Sequence, residues 1–253
     1  MSYNHGRPAV GGPLYRAMPW YGLSYIAAVA ATWMAARRRP PPDLDGLGRA
    51  RVRTDELLAV ALAGALLGGR LGYILLYEPG FYLNHPPEIF RLWRGGMSFH
   101  GGLAGVIAAV LLRVSAGARL ATLDYLARLA PISLGLGRVG NFLGGELWGQ
   151  LSSLPWALVF PEAGPWPRHP TQLYEALWEG PVLWLILRRV RGRPGLASAV
   201  FLIFYSLGRL AVEFLRVPDP SWGYLAGGWL TWGQVLTFIT LVIGLGLWRG
   251  VRK

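Results

Sequence analysis

The chain contains no cysteine. No disulfide can staple it, no thiolate of its own can act as a nucleophile, and no cysteine metal site can form. Any thiol chemistry therefore belongs to a substrate. Charge is also scarce: 15% of the 253 residues are charged, against about a quarter in a soluble domain. Lysine occurs once, at Lys253, and acids number 13 against 25 basic residues, for a net charge of +12. Residues 1–13 are polar and Gly-rich and lack the apolar core of a cleavable signal peptide, so the first apolar run is expected to be an uncleaved anchor. No internal repeat is visible, which argues against the related halves of many transporters.

Apolar residues fill the space left by charge, at 53% with a mean hydropathy of +0.35. The 12 tryptophans and 11 tyrosines suit belts at the two interfaces of a bilayer. Seven apolar runs approach the roughly 20 residues that cross a membrane: 20–36, 54–77, 97–115, 122–136, 171–187, 196–215 and 230–248. Arg113 and Arg128 interrupt the third and fourth, and Thr54-Asp55-Glu56 offers a capping hydroxyl and two acids at the start of the second. The expected fold is an all-α polytopic membrane protein, a single membrane domain over residues 1–253 with seven transmembrane helices.

A basic balance ordinarily raises nucleic acid as a partner. Here the basic residues fall between apolar runs and read as topology signals, so no nucleic-acid partner is expected. Fifteen lie in the loops after the first, third, fifth and seventh runs, and seven on the opposite side. The positive-inside rule then puts the N-terminus outside and the C-terminus in the cytoplasm. Two long outward segments remain, 78–96 and 139–170, rich in Pro, Gly and Trp. They are expected to form an interfacial arm and a small extracytoplasmic head, with a short strand over 156–160.

Within this apolar chain, ionisable residues inside the runs are functional candidates. Gly64, Gly68 and Gly72 repeat at four-residue spacing, which reads as close helix packing. Arg70 on the same helix either pairs with an acid, snorkels outward or contacts substrate. His100, at the outer end of the third run, is a possible general base or an interfacial histidine capping backbone groups. Tyr205, Arg209, Glu213 and Arg216 share one helix face, which fits either a self-paired Arg209–Glu213 stripe or an anion site. Arg138 reaches the same outer level from the fourth run. Two guanidiniums at that depth suit a phosphate, and the phosphate available there is a phospholipid headgroup. The glycines around Asn141 allow close backbone approach.

The stretch Gly137-Arg138-Val139-Gly140-Asn141-Phe142-Leu143-Gly144-Gly145-Glu146-Leu147-Trp148-Gly149 resembles the signature of the prolipoprotein diacylglyceryl transferase family, Gly-Arg-x-Gly-Asn-Phe-x-Asn-x-Glu-x-x-Gly. Blocks beginning at Tyr21, Gly68, Gly95, Arg168 and Phe204 agree in order, so the resemblance covers Tyr21 to Arg216. Gly144 departs from it, standing where the family carries a second asparagine, so whatever that amide holds must be held otherwise here. Thr171 replaces a common serine and keeps the hydroxyl. The resemblance implies transfer of the diacylglyceryl group of phosphatidylglycerol to the lipobox cysteine of a preprolipoprotein signal peptide, with release of glycerol 1-phosphate. It implies no metal or cofactor, and a place in the bacterial cytoplasmic (inner) membrane with the active site toward the outer leaflet. His100, Arg138 and Arg209 match its catalytic positions. Tyr21, Asn141, Glu146, Gly149, Tyr205, Glu213 and Arg216 match other important positions, and Arg70 is assigned with them to substrate binding. A transporter of anionic solutes and a non-catalytic lipid scaffold are the rival classes.

Overall fold

The computed structural model describes residues 20–39, 53–91, 95–218 and 222–253, with only the backbone of Tyr21. The N-terminal segment 1–13, Arg7, Arg16, Arg49, Arg51, Arg94 and the side chain of Tyr21 lie outside the described residues. The long helices are α1 (Trp20–Arg38), α2 (Thr54–Leu76), α4 (Phe99–Arg113), α5 (Arg119–Gly144), α8 (Leu196–Glu213) and α9 (Trp232–Arg252). Short α3 (Pro79–Asn84) precedes α4, and α6 (Thr171–Leu177) joins α7 (Leu183–Leu187) through a π-helical segment, Trp178–Val182. Each of the seven expected runs thus falls on one helix or helix composite. Among the described residues α2, α8 and α9 are long and apolar enough to cross a membrane, and α4 is a shorter apolar helix.

The boundaries differ from the sequence expectation where side chains make bonds that periodicity does not register. Helix α5 begins earlier and ends later than 122–136, and Arg128 does not interrupt it. The Arg128 guanidinium donates to the carbonyls of Leu187 (2.6 Å) and Val190 (2.9 Å), adding to the hydrogen bonding at the end of α7. The helix stops at Gly144 because Gly145 turns left-handed, at φ +70°, and returns its N–H to the last turn. Arg138 and Asn141 therefore sit inside a helix, and the outward segment begins only after Gly144. Thr54 does not cap α2: the capping position is Arg53, which makes no side-chain cap bond. Residues 230–231 belong to a hairpin strand, and α9 starts behind a Thr231–Gln234 capping box.

Helix α2 packs most closely on α4, α1 on α5, and α8 on α9. The α2–α4 contact explains the glycine repeat: a Cβ at Gly68 would lie 2.7 Å from the Cα of Gly105, and one at Gly72 2.6 Å from the Cα of Gly101. Close helix packing is the role these glycines play. Leu62, Leu67, Leu71 and Leu75 of α2, and Phe238, Ile239, Val242 and Ile243 of α9, face outward. Polar contact is concentrated instead between α5, α6, α7 and α8, around a core of Ala127, Leu183, Leu187, Ala197, Phe201, Leu202 and Tyr205.

One end of the bundle is tied by Asp124 of α5, which accepts from Ser198 N and Oγ (2.7 Å each) and Gly195 N (2.8 Å), and by Tyr125 Oη donating to Ala36 O (3.2 Å). At the other end, in the segment labelled the head, β1 (Leu158–Val159) pairs antiparallel with β2 (Pro167–Arg168). Arm and α2 are joined by Arg70. Its guanidinium donates to the carbonyls of Glu88 (2.5 Å), Ile89 (2.9 Å), Gly95 (2.6 Å) and Gly96 (3.1 Å). Among the described residues it pairs with no acid, and its donors are spent on the arm.

Candidate anion site at the head end of the bundle

Three arginines and three glutamates from three helical segments meet at the head end. Arg138 of α5 lays its guanidinium fork on Glu179, Nε to Oε2 at 2.9 Å and Nη2 to Oε1 at 3.1 Å, while Nη1 stands 3.0 Å from Glu175 Oε2. Arg209 of α8 brings its Nη1 to 3.3 Å from Glu175 Oε1 and against Glu213, near enough for ion pairing but off the hydrogen-bond direction. Arg216, just past the last turn of α8, donates from Nη1 to both oxygens of Glu175 at 3.1 and 3.3 Å. Glu213 is fixed in turn by the hydroxyl of Thr231 at 2.7 Å. Charge balances within the cluster, as burial of ions requires.

Local structure explains how the acids get there. Glu175 and Glu179 lie four apart, so α-helical spacing sets them on neighbouring turns of one face. Pro181 cannot supply an amide hydrogen to the ladder, and the backbone loosens into the π segment at Gly180. Gly135 of α5 fits against that loosened turn, where a Cβ would stand 3.0 Å from the Cα of Gly180. Both glutamates are buried to 1% exposure, whereas the arginine side chains keep 13–15%. The acids form the floor, and the small remaining exposure of the cluster belongs to the arginine side chains.

The expected face Tyr205–Arg209–Glu213–Arg216 is present, and the Arg209–Glu213 pair within it is made. The stripe does not pair only with itself, because Glu175 crosses from α6 to hold both of its arginines and Arg138 as well. Sequence reasoning did not single out Glu175 or Glu179; two acids at i and i+4 inside an apolar run were the available signal. Tyr205 is buried beside the cluster, its ring stacked on Phe99 at 4.3 Å. That stacking docks the start of α4 on α8 and carries the neighbouring His100 into electrostatic range of Arg209 and Glu213. The cap of α4 is Ser98, whose Oγ accepts from Gly101 N at 3.2 Å, so the capping role offered to His100 is already filled. His100 Nε2 is buried and has no hydrogen-bond partner among the described residues.

The remaining signature residues build the connection from α5 to the head. The Asn141 amide hydrogen-bonds the Glu146 carboxyl, lowering its pKa against a larger upward push from the packing around it, so the net direction is up. Gln172 Nε2 takes the Glu146 carbonyl, and the Thr171 hydroxyl donates to Leu147 O at 3.0 Å, the use found for the retained hydroxyl. Gly149 is a packing position: a Cβ there would lie 2.6 Å from Leu215 O and 2.7 Å from His169 Cβ. The close fit lets Gly149 bridge antiparallel to Arg216, with Gln150 N donating to Leu215 O at 2.8 Å. The head is thereby latched to the turn that carries Arg216. A Cβ at Gly144 would meet the Glu146 carboxyl at 3.7 Å, ordinary contact distance, so the missing asparagine leaves open space beside that acid. Among the described residues no group of three His, Asp or Glu side chains is placed to hold a metal ion.

A family model described as prolipoprotein diacylglyceryl transferase matches residues 14–249. The chain is similar to the phosphatidylglycerol–prolipoprotein diacylglyceryl transferase of Nitratidesulfovibrio vulgaris (strain DSM 19637 / Miyazaki F), with 48% identity over 247 residues, covering 96% of this chain and 91% of the relative. The enzyme of that name from Methylococcus capsulatus is 48% identical over 241 residues, 93% of this chain and 91% of its own. That from Rhizobium meliloti is 45% identical over 246 residues, 92% and 87% respectively.

Proposed function

The chain belongs to the prolipoprotein diacylglyceryl transferase family, and from that premise we propose that it transfers the diacylglyceryl group of phosphatidylglycerol to the lipobox cysteine of a preprolipoprotein. It works as a seven-span protein of the bacterial cytoplasmic membrane, N-terminus outside, C-terminus cytoplasmic, its site toward the outer leaflet. The observation that carries the reading is the convergence of Arg138, Arg209 and Arg216 on buried Glu175, three guanidiniums gathered at one place in an apolar bundle. A guanidinium matches a phosphodiester, whose oxygens accept parallel N–H bonds.

The sulfur of the substrate thiolate attacks the glyceryl carbon that carries the phosphate ester. A C–S bond forms, the C–O bond breaks, and its electron pair leaves on the phosphate as glycerol 1-phosphate. Arg138 and Arg209 bind the phosphate and stabilise the charge growing on the departing oxygen. A cysteine thiol near pKa ~8.5 is mostly protonated at neutral pH. The guanidinium field favours the thiolate, and His100 takes the thiol proton on its otherwise unpartnered Nε2. Glu175 and Glu179 hold the arginines in place so that little reorganisation accompanies the reaction. Asn141, Glu146, Tyr21 and Tyr205 complete the headgroup side of the site.

The test is a reconstituted assay with phosphatidylglycerol vesicles and a cysteine-containing lipobox peptide, read as a mass increase on the peptide. Arg138→Ala and Arg209→Ala should each lower transfer by about a hundredfold or more, the loss typical of removing a group that stabilises developing charge. An Arg138→Ala protein that keeps most of its activity would end the phosphate-clamp reading. A His100→Gln protein whose pH–rate profile matches the parent would remove His100 as the base.

A further inference from the structure

At the end of the bundle opposite the anion site, one small device recurs. Among the described residues three tryptophans carry an arginine four positions later, stacked over the indole: Trp33–Arg37 at 4.2 Å, Trp184–Arg188 at 4.8 Å and Trp248–Arg252 at 4.0 Å. The spacing places each pair on one helix face, in the last turns of α1, α7 and α9 or just beyond them. These three helix ends lie at the same end of the molecule. Tyr125 ties the end of α1 to α5, Arg128 ties the end of α7 to α5, and a Cβ on Gly195, beside Asp124, would meet Val251 of α9 at 2.9 Å.

The first pair shows what the device does. Trp33 Nε1 donates to Asp55 Oδ1 at 2.7 Å and Arg37 Nη2 to Oδ2 at 3.2 Å, so indole and guanidinium together grip the two oxygens of one anion. In the other two pairs no protein acceptor meets either donor group among the described residues, and Trp184, Arg188 and Arg252 are exposed. Their surroundings indicate the occupant. Leu185 follows Trp184 in the chain, and Leu245 lies one turn below Trp248, both exposed on apolar helix walls. Arg188, Arg189 and Arg191 border a concave space of about 510 Å³.

We propose that Trp184–Arg188 and Trp248–Arg252 are two anion clamps that hold the phosphates of anionic phospholipids in the cytoplasmic leaflet, as Trp33–Arg37 holds Asp55. The clamps fix the depth of the bundle in the bilayer. A phosphate offers the same pair of oxygens as a carboxylate, and an acyl chain covers the apolar wall that a soluble anion leaves wet. The inference rests on the membrane orientation given above and not on the transfer chemistry.

Native mass spectrometry of the detergent-solubilised full chain, titrated with dioleoyl phosphatidic acid or dioleoyl phosphatidylcholine, tests it. The parent should retain phosphatidic acid in preference to phosphatidylcholine. Arg188→Gln and Arg252→Gln should each weaken that retention about fivefold, the effect of one basic residue at an anionic surface. Arg193→Gln, an exposed arginine with no tryptophan beneath it, should leave it unchanged. Equal retention by the double variant, or an equal loss with Arg193→Gln, would overturn the proposal. Displacement of the lipid by inorganic phosphate at equal concentration would overturn it too, since the clamp would then recognise a free anion. Transfer to the lipobox peptide, measured on the same samples, should be unaffected in both variants; failure of the parent to transfer counts against the catalytic reading alone.

Discussion

Glu175 is the residue on which the site closes, because three guanidiniums reach it and it has almost no contact with solvent. Removing one partner of a buried ion pair leaves the other charges uncompensated, which typically costs about 3–5 kcal/mol. Glu175→Gln should therefore lower the stability of the detergent-solubilised protein by about 3 kcal/mol, measured by thermal unfolding. Adding Arg216→Gln should restore part of it, since contacting residues are not additive. A fully additive double variant would show that Glu175 and Arg216 act apart. Much at this scale was legible beforehand. Arg138, Arg209, Glu213 and Arg216 stood out as charges in apolar runs, and all four enter the cluster. Arg70 stood out for the same reason and meets backbone carbonyls, which also relieve an arginine's cost in an apolar setting. Which acceptor it finds depends on where the arm folds, a fact external to its own helix.

Helix by helix, the long elements follow from apolar periodicity, and their ends follow from contacts. Gly68 illustrates how an element positions a site it does not belong to. It lets α2 and α4 touch backbone to backbone, and α4 presents His100 from its first turn. Gly68→Val should push the two helices apart, lowering stability by about 1–3 kcal/mol and reducing transfer as His100 withdraws from Arg209. Unchanged melting and transfer in this variant would disprove that coupling. The π segment is the converse case. Pro181 lies inside the fifth run, and sequence does not say whether a proline kinks, ends or widens a helix. Gly135 of α5 receives the widened turn, and so the packing partner decides.

For the molecule as a whole, orientation is the property most open to direct measurement, because a chain without cysteine needs no background removed. Ala116→Cys lies between α4 and α5 and Ser153→Cys in the head, both exposed. In intact expressing cells a membrane-impermeant maleimide should label Ser153→Cys, and Ala116→Cys only after permeabilisation. The reverse pattern would invert the topology. Helix packing puts the Trp–Arg pairs and the arginine–glutamate cluster at opposite ends of the bundle, so in the proposed orientation they face opposite leaflets.

The sequence by itself determined that the chain is helical and apolar, where its helices run, which charges are out of place, and which family it resembles. Each of these is written locally, in periodicity, in spacing, or in a run of thirteen residues. Tertiary structure decided the partners. It closed Arg138, Arg209 and Arg216 on Glu175, spent Arg70 on the arm, gave Asn141 to Glu146, and threaded Gly149 against Leu215 so that the head is latched beside Arg216. Partner choice is set by contacts between segments tens of residues apart, and helical periodicity carries no information about those.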